Sequence, residues 1–586
     1  MGKRSFWLRF LAALASGLLV AVLFPPFRMS LLAWVAMVPV IAALWSVTGK
    51  RAGWKGFALG WTGGMMSCSI QFHWVAEVSW LGALLLPAYL ACYWGLFGAF
   101  AATVGNPWRN RDIPIANENP GYARSLRVAF CLGAVWAGLE WLRGWMFTGF
   151  GWNGMGVAFR ETLVMAQSAD LLGVAGLSLI LVFFQAVMVQ AAVRYIGQSG
   201  ADKRRLPVDL VLAVSLVALL AGYGIARIGL ERRAECVRLK TLLVQINIPQ
   251  DASQQLWSAL DVHMAYEADT LKALAGLGKT VDGRTPPGWP DWVMWPETAL
   301  TGRILRAEDG TWGSWRENQE TIARVREAGP FQLIYGVTEQ EADACGDGLL
   351  AIKPGGHIWN SIAVMSPADA LQTYRKHHLV IFGETIPYAD SLPWLAQIYQ
   401  QQSGVEYGGS FTPGVSFDPL QIPTADGTMI GAIPTVCFED SVGRLTRKFA
   451  RPGPQVIVNV TNDGWFRESA AADQHFAYAR FRAIELRRPL LRCANTGVSA
   501  AVDTTGSTAH PDTGKPQILV GSDGNHFVRG SLLTETKVPL HPSFSLYALI
   551  GDWGIIVLSL AGFLWARMRS GTPSVVEDAA RQGIDF

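Results

Sequence analysis

A chain of 586 residues that is half hydrophobic and only 16% charged is too long and too apolar for one ordinary soluble domain. The formal net charge of +3 is small, and no basic stripe is interleaved with aromatic residues, so nucleic acid is not an expected partner. The 7 cysteines are scattered, without a CxxC pair, and suggest neither a disulfide framework nor a zinc site.

Seven apolar runs precede residue 230 and one follows residue 540, at roughly 7–24, 31–48, 57–75, 81–104, 127–143, 170–193, 208–227 and 546–566. Each approaches the ~20 residues that cross a bilayer as a helix. The third and fifth are the weakest, interrupted by Ser67, Ser69 and His73 and by Glu140 and Arg143. Lys3, Arg4 and Arg9 ahead of the first run resemble a signal peptide, but its length and the spans that follow make it an anchor. Lys and Arg gather in alternate connections: before span one, then Lys50, Arg51 and Lys55, then Arg109, Arg111, Arg124 and Arg127, then Arg194, Lys203, Arg204 and Arg205, and finally Arg567 and Arg569. The intervening short loops hold Arg28, then none, then Arg143 and Arg160. This positive-inside pattern puts both termini in the cytoplasm and the long segment after span seven on the far side, the periplasm of a Gram-negative cell. The expected organisation is 1–230 for helices one to seven, 231–545 for a catalytic domain, 546–569 for helix eight and 570–586 for a disordered polar tail. Trp74–Trp80 and Phe147–Trp152 fall at the outer interface, where they anchor the protein or line a lipid path. Glu140 and Arg143 are spaced to pair with each other or to meet a headgroup.

From residue 238 the pattern changes to short β-rich runs: Leu239–Ile246, Trp292–Trp295, Gln332–Val337, Ser361–Met365, Met429–Cys437, Gln455–Thr461, Leu491–Ala494 and Ser499–Asp503. Several are nearly continuous Val, Ile and Leu, as expected of strands buried on both faces. Helical stretches at Gln254–Ala275, Thr311–Ala328 and Ala472–Glu485 separate them, which predicts α/β layers.

Glu297, Lys376 and Cys437 sit at or just after strand ends, where loops gather catalytic groups on a rigid frame. A lone Cys at the end of an apolar run is ordinarily structural, a Glu after Pro is ordinarily a cap, and a lone Lys is ordinarily solvated. Together they offer a thiol nucleophile, a base for its proton and a cation for the oxyanion. Burial among Trp292 and Trp295 would raise the Glu297 pKa toward that of a general base. The amide of Phe438, at a strand-to-helix turn, is a second oxyanion donor, and Glu439 follows two residues after the nucleophile. Glu384 is placed to orient Lys376 or a substrate amine. His377 and His378 offer a competing Cys-His reading.

The segments Trp295–Thr298, Tyr374–Leu379 and Thr435–Asp440 resemble the nitrilase superfamily, which carries a Glu-Lys-Cys triad on a four-layer sandwich. Asn459–Phe466, His475 with Ala479–Glu485, Arg488–Arg492, Asn495–Gly497 and Gln245–Gln250, with the eight spans, narrow the resemblance to the apolipoprotein N-acyltransferases of the bacterial inner membrane. The similarity covers about residues 5–566. Phe438 stands where that family often has Tyr, Ile381 where Pro is common and Arg467 where Gly is usual. A supporting Trp of the family maps to Trp257, after the insertion at Asp251–Gln255.

The resemblance implies an α-helical membrane bundle of eight transmembrane helices plus an α/β, nitrilase-like αββα sandwich. It further implies a monomeric, ping-pong acyltransferase without metal or cofactor. The donor would be a phospholipid, typically phosphatidylethanolamine, and the acceptor the α-amine of a diacylglyceryl apolipoprotein. The alternative with the same triad is a membrane-tethered nitrilase or amidase, which has no need of eight spans. A transporter is disfavoured by the nearly uncharged span centres. Loop 385–412, with Gly404, Gly408 and Gly409, has the composition of a lid.

Overall fold

The computed structural model describes residues 3–108, 122–197, 207–250, 256–280, 284–346, 348–381, 383–386 and 410–568, with positions 394 and 397. The expected tail 570–586, most of the expected lid, the Asp251–Gln255 insertion and the loop cations Arg109, Arg111, Lys203, Arg204, Arg205 and Arg569 lie outside the described residues.

The N-terminal half is helical: α1 (Lys3–Ala21), α2 (Val38–Trp45), α3 (Ala52–Gln71), α4 (Trp80–Ala102), α5 (Tyr122–Arg143), α6 (Ala169–Gly197) and α7 (Val208–Arg233). Between the strands come α8 (Ala259–Ala275), α9 (Arg316–Arg326) and α10 (Ala470–Leu486), and after the last strand α11 (Trp553–Met568); the shortest helical turns carry no number. Among the described residues, α1, α4, α5, α6 and α7 are long and apolar enough to cross a membrane. Their exposed faces carry large apolar side chains, among them Trp7, Leu11, Leu84, Val211, Leu219 and Ile225, a surface that water does not tolerate and lipid does.

Three predicted spans depart from a simple crossing helix. The second is broken into a 3₁₀ turn, Ser30–Trp34, and the short α2. Its interrupted backbone is satisfied by Gln185 of α6, which accepts from Met37 N at 2.5 Å and donates to Ala33 O at 3.0 Å. The third, α3, uses Gly56, Gly60 and Gly64 to bring its backbone against α4: a Cβ on Gly56 would lie 2.3 Å from Gly98 O, and one on Gly60 2.2 Å from Trp94 O. Those glycines give close packing at the expense of apolarity. The eighth, α11, has 16 residues.

The sheet-rich half contains β1 (Cys236–Gln245), β2 (Trp292–Met294), β3 (Ile304–Arg306), β4 (Trp312–Ser314), β5 (Gln332–Ala344), β6 (Leu350–Ile352), β7 (Ile358–Met365), β8 (Leu371–Arg375), β9 (Leu420–Pro423), β10 (Met429–Val436), β11 (Gln455–Thr461), β12 (Leu490–Ala494), β13 (Ala500–Val502) and β14 (Gly530–Pro539). One sheet has β14-β1-β2-β5 at its centre, with β7 and β8 joined through β5; the other runs β13-β12-β11-β10-β9. β1, β2 and β5 are parallel neighbours, as are β10, β11 and β12.

Side-chain alternation builds the layers. Leu239 and Leu243 of β1, Trp292 and Met294 of β2 and Ile334 of β5 face the second sheet, meeting Ile433, Val436, Val456 and Val458. Leu242, Val244, Val293 and Leu333 face the other way, onto Val262 and Tyr266 of α8 and Ile322 and Val325 of α9. Phe476, Ala479, Ala483 and Leu486 of α10 cover the second sheet. The layers therefore run helix, sheet, sheet, helix. Ala477, Phe481 and Ile484, on the opposite side of α10, belong to the core of the membrane bundle.

Candidate active site

Three strand ends converge. Beyond β2, the turn Trp295–Ala299 lies along β5: Trp295 N donates to Ile334 O at 2.8 Å, Gly336 N to Pro296 O at 3.0 Å and Ala299 N to Gly336 O at 3.0 Å. A Cβ on Gly336 would stand 2.5 Å from Glu297 Cα, so glycine is required for this approach. Lys376 follows β8, its amide held by Asn360 O at 2.9 Å and its carbonyl by Gly414 N at 2.7 Å. Cys437 follows β10 directly and opens a 3₁₀ helix, Cys437–Ser441, with φ +51°, a strained strand-to-helix elbow. The Phe438 amide falls in the first turn of that helix, where N–H groups lack intrahelical acceptors.

Glu297 and Lys376 are buried, with Lys376 Nζ 3.9 Å from Glu297 Oε1 and 2.8 Å from Glu384 Oε2. Glu384 is thus the closer partner of Lys376. Asn360 Nδ2 bridges the carboxylates, donating to Glu297 Oε1 at 2.8 Å and Glu384 Oε1 at 2.7 Å. Glu297 Oε2 has no hydrogen bond of ordinary geometry, although the Cys437 thiol is near enough to favour its charged form. Burial raises the Glu297 carboxyl above its usual range, with Lys376 opposing. Burial also raises the Cys437 thiol, and Glu297 raises it further. Burial would lower Lys376, but Glu384 and Glu297 outweigh it and hold the ammonium above its ordinary range. The site sets a thiol beside a carboxyl group and a fixed cation, a set suited to base-assisted thiol attack on an acyl carbon.

Glu439 ties two of these segments together. Its Oε1 accepts from His377 N at 2.7 Å and His378 N at 2.9 Å; its Oε2 accepts from Val436 N at 2.8 Å and Tyr374 OH at 2.9 Å. Burial pushes it up to about 7, with Lys376 and the backbone donors opposing. His377 Nδ1 lies 3.1 Å from Tyr374 OH and its Nε2 has no partner, so His377 is not the base of a Cys-His pair. Trp257 packs on the core shared by the first sheet, α8 and α9, and no described contact joins it to Glu297, Lys376 or Cys437.

Beneath the elbow lies a buried charge cluster that sequence reasoning left without a role. His475 Nε2 is 2.7 Å from Asp440 Oδ1 and its Nδ1 is 2.8 Å from Asp463 Oδ1. Arg492 meets Asp440 and, at 2.9 Å, both Asp463 Oδ2 and Asn459 Oδ1. Asn459 Nδ2 donates to Cys437 O at 3.3 Å. Burial opposes the His475 charge, but Asp440 and Asp463 raise it to about 9. Asn360 and Asn459 were also missed. The available signal was an amide in the interior of a largely apolar strand, which must have a partner when buried.

The membrane half supplies the floor. Phe438 stacks on Phe150 and Trp152, with centroids 6.4 and 6.1 Å apart, and Trp74 meets Trp152 at 5.1 Å and Phe466 at 4.5 Å. Both tryptophan-rich segments therefore lie against the elbow. Glu140 and Arg143 form no pair: Glu140 accepts from Trp136 Nε1 and Met155 N, both at 2.9 Å, while Arg143 donates to Trp152 O at 2.8 Å. Each fixes the loop that carries the aromatic floor.

Residues 16–187 match the Apolipoprotein N-acyltransferase N-terminal domain, and residues 290–521 match the Carbon-nitrogen hydrolase family. Fold and site thus define a nitrilase-type enzyme domain seated on membrane helices. Curated relatives named apolipoprotein N-acyltransferase include one from Rhodopseudomonas palustris, 29% identical over 97% of this chain and 96% of its own. Others are from Geobacter metallireducens, 28% identical over 85% of each chain, and Brucella melitensis biotype 1, 30% identical over 85% of this chain and 86% of its own. The chain belongs to the apolipoprotein N-acyltransferase family.

Proposed function

We propose that this protein moves an acyl chain from the sn-1 position of a phospholipid, through a thioester on Cys437, to the α-amine of an N-terminal diacylglyceryl-cysteine, the final step of lipoprotein maturation. The observation that carries the reading is the convergence of Glu297, Lys376 and Cys437 on an elbow whose aromatic floor comes from the membrane half. Glu297 takes the thiol proton as Sγ attacks the ester carbonyl. Lys376 and the Phe438 amide bear the oxyanion. Collapse breaks the C–O bond, Glu297 returns the proton to the leaving alkoxide, and a lysophospholipid departs. The acceptor amine then attacks the thioester, Glu297 accepts its proton, and the amide forms as the thiol is restored.

Glu384 keeps Lys376 pointed at the oxyanion, Glu439 holds the Lys376 and Cys437 segments in register, and Trp257 takes a supporting role by family resemblance. The catalytic unit is a single chain, since all three reacting groups come from it. Eight spans in the inner membrane, with residues 231–545 in the periplasm, 546–569 as the last span and both termini cytoplasmic, put the elbow on the side where the donor lipid and acceptor meet. Phosphatidylethanolamine is the expected donor.

The test is intact mass after incubation with a defined phosphatidylethanolamine, beside Cys437→Ala. One added acyl group, released by hydroxylamine and absent from the variant, is expected. Hydrolysis of a small amide by Cys437, without an acyl adduct from lipid, would replace this reading with an amidase.

A further inference from the structure

Between the elbow domain and the ends of α5 and α11 lies a cleft of about 470 Å³, within the range of about 300–1,000 Å³ usual for small-molecule sites. None of Glu297, Lys376 and Cys437 lines it. One wall is apolar and belongs to the helix ends, where Trp145 and Trp553 are 55% and 68% exposed and Ile556 adjoins them.

The facing wall is cationic. Arg444 donates to Gly144 O at 2.7 Å, Arg447 to Leu549 O at 2.9 Å, and Lys448 Nζ sits 4.4 Å above the Phe417 ring. None of the three forms an ion pair among the described residues. Asp552 is the one carboxylate on the cleft among those residues, and it is engaged by Trp141 Nε1 at 2.9 Å and Tyr547 OH at 3.0 Å. Asp552 offsets part of the Arg444 charge, and the three cations against one carboxylate leave the wall positive.

We infer that this cleft is a second lipid site that binds the headgroup of a membrane glycerophospholipid. Its phosphate lies among Arg444, Arg447 and Lys448, and its chains run along the Trp145, Trp553 and Ile556 wall. Free phosphate would satisfy the cations and leave the apolar wall bare, so the lipid is the better complement. The cations follow directly on the Cys437–Ser441 helix, which places the occupant against the segment that carries the nucleophile.

The test uses the full chain carrying Cys437→Ala, so that binding is read without acyl transfer and stands apart from the proposed reaction. Phosphatidylglycerol is titrated in detergent and its binding followed by native mass spectrometry. The expected result is at least about tenfold tighter binding than diacylglycerol with the same chains, and a loss of about tenfold on adding Lys448→Gln. Arg447→Gln should weaken binding further. Lys448 is exposed and makes only a ring contact, so its variant stays informative even if Arg447→Gln misfolds. Equal binding of diacylglycerol, or no change in the Lys448→Gln protein, overturns the site. Displacement of the lipid by inorganic phosphate at millimolar concentration overturns the choice of lipid as occupant.

Discussion

Lys376 is 1% exposed, and an ammonium at that depth persists only with carboxylates against it. Glu384 and Glu297 supply them, but their holding of the charge does not by itself fix where the charge sits. The position comes from Glu439, whose two oxygens accept four hydrogen bonds from the strand bearing Cys437 and the turn bearing Lys376. Glu439→Gln replaces one acceptor oxygen with an N–H₂ group and orphans at least one buried donor, at a cost of about 1–3 kcal/mol. Thermal unfolding should show that loss, and the rate of acyl-adduct formation should fall with it. Wild-type values for both would mean that the clamp is dispensable. The meeting of Glu297 and Lys376 was legible in the sequence because each follows a strand inside a distinctive segment. Asn360 was not, because its two carboxylate partners lie 63 and 24 residues away and only the fold brings them to its amide.

The elements that sequence patterning found are those buried on both faces. β10, β11 and β12 read as apolar runs because a facing sheet covers one side and a helix the other. β14 was missed: Ser531, Thr534, Glu535 and Lys537 break any run, and its place is set by pairing with β1, not by hydrophobicity. The predicted helix from Thr311 begins in fact as β4, with α9 starting at Arg316, because the Trp312–Ser314 segment pairs with β3. Close approach between elements gives a sharp test. Gly336→Ala drives a methyl into the backbone of Pro296–Thr298, so activity should be nearly lost and the melting temperature should fall; full activity would show that the turn can yield. The His475 cluster, which joins β10, β11, α10 and β12, predicts a pH dependence. The folded His475 pKa, about 9, lies above its ordinary 6.5, so its contribution is complete below about 6.5 and is lost as pH rises through about 9. Melting temperature should fall across that window, and His475→Gln should flatten the fall. An unchanged slope in the variant would assign it to other groups.

The whole molecule holds together through α10, which serves two cores at once. Its inner face covers the second sheet, and its outer face, through Ala477, Phe481 and Ile484, completes the membrane bundle. Immediately after it, Arg487 is fully buried and donates to Asp170 Oδ2 at 2.5 and 3.1 Å, to Gln167 Oε1 at 2.6 Å and to Thr504 O at 3.2 Å. Asp170, at the start of α6, also accepts from Tyr223 OH at 2.8 Å and pairs with Arg227 of α7 at 3.2 Å. One carboxylate therefore joins two membrane helices to the catalytic domain. Hydropathy could find the helices but not this joint, since Asp170 and Arg487 are 317 residues apart. Asp170→Asn keeps the shape and removes the charge, leaving the Arg487 guanidinium buried without its ion-pair partner, at a cost of about 3–5 kcal/mol. The expected outcome is a large drop in melting temperature in detergent, together with new protease cleavage between the helical and sheet-rich halves. Glu320→Gln, which breaks an exposed pair with Arg316, should shift neither and serves as the control. If Asp170→Asn melts and cleaves like that control, the halves are held by the apolar face of α10 alone, and the alignment of the elbow over its aromatic floor does not depend on buried charge.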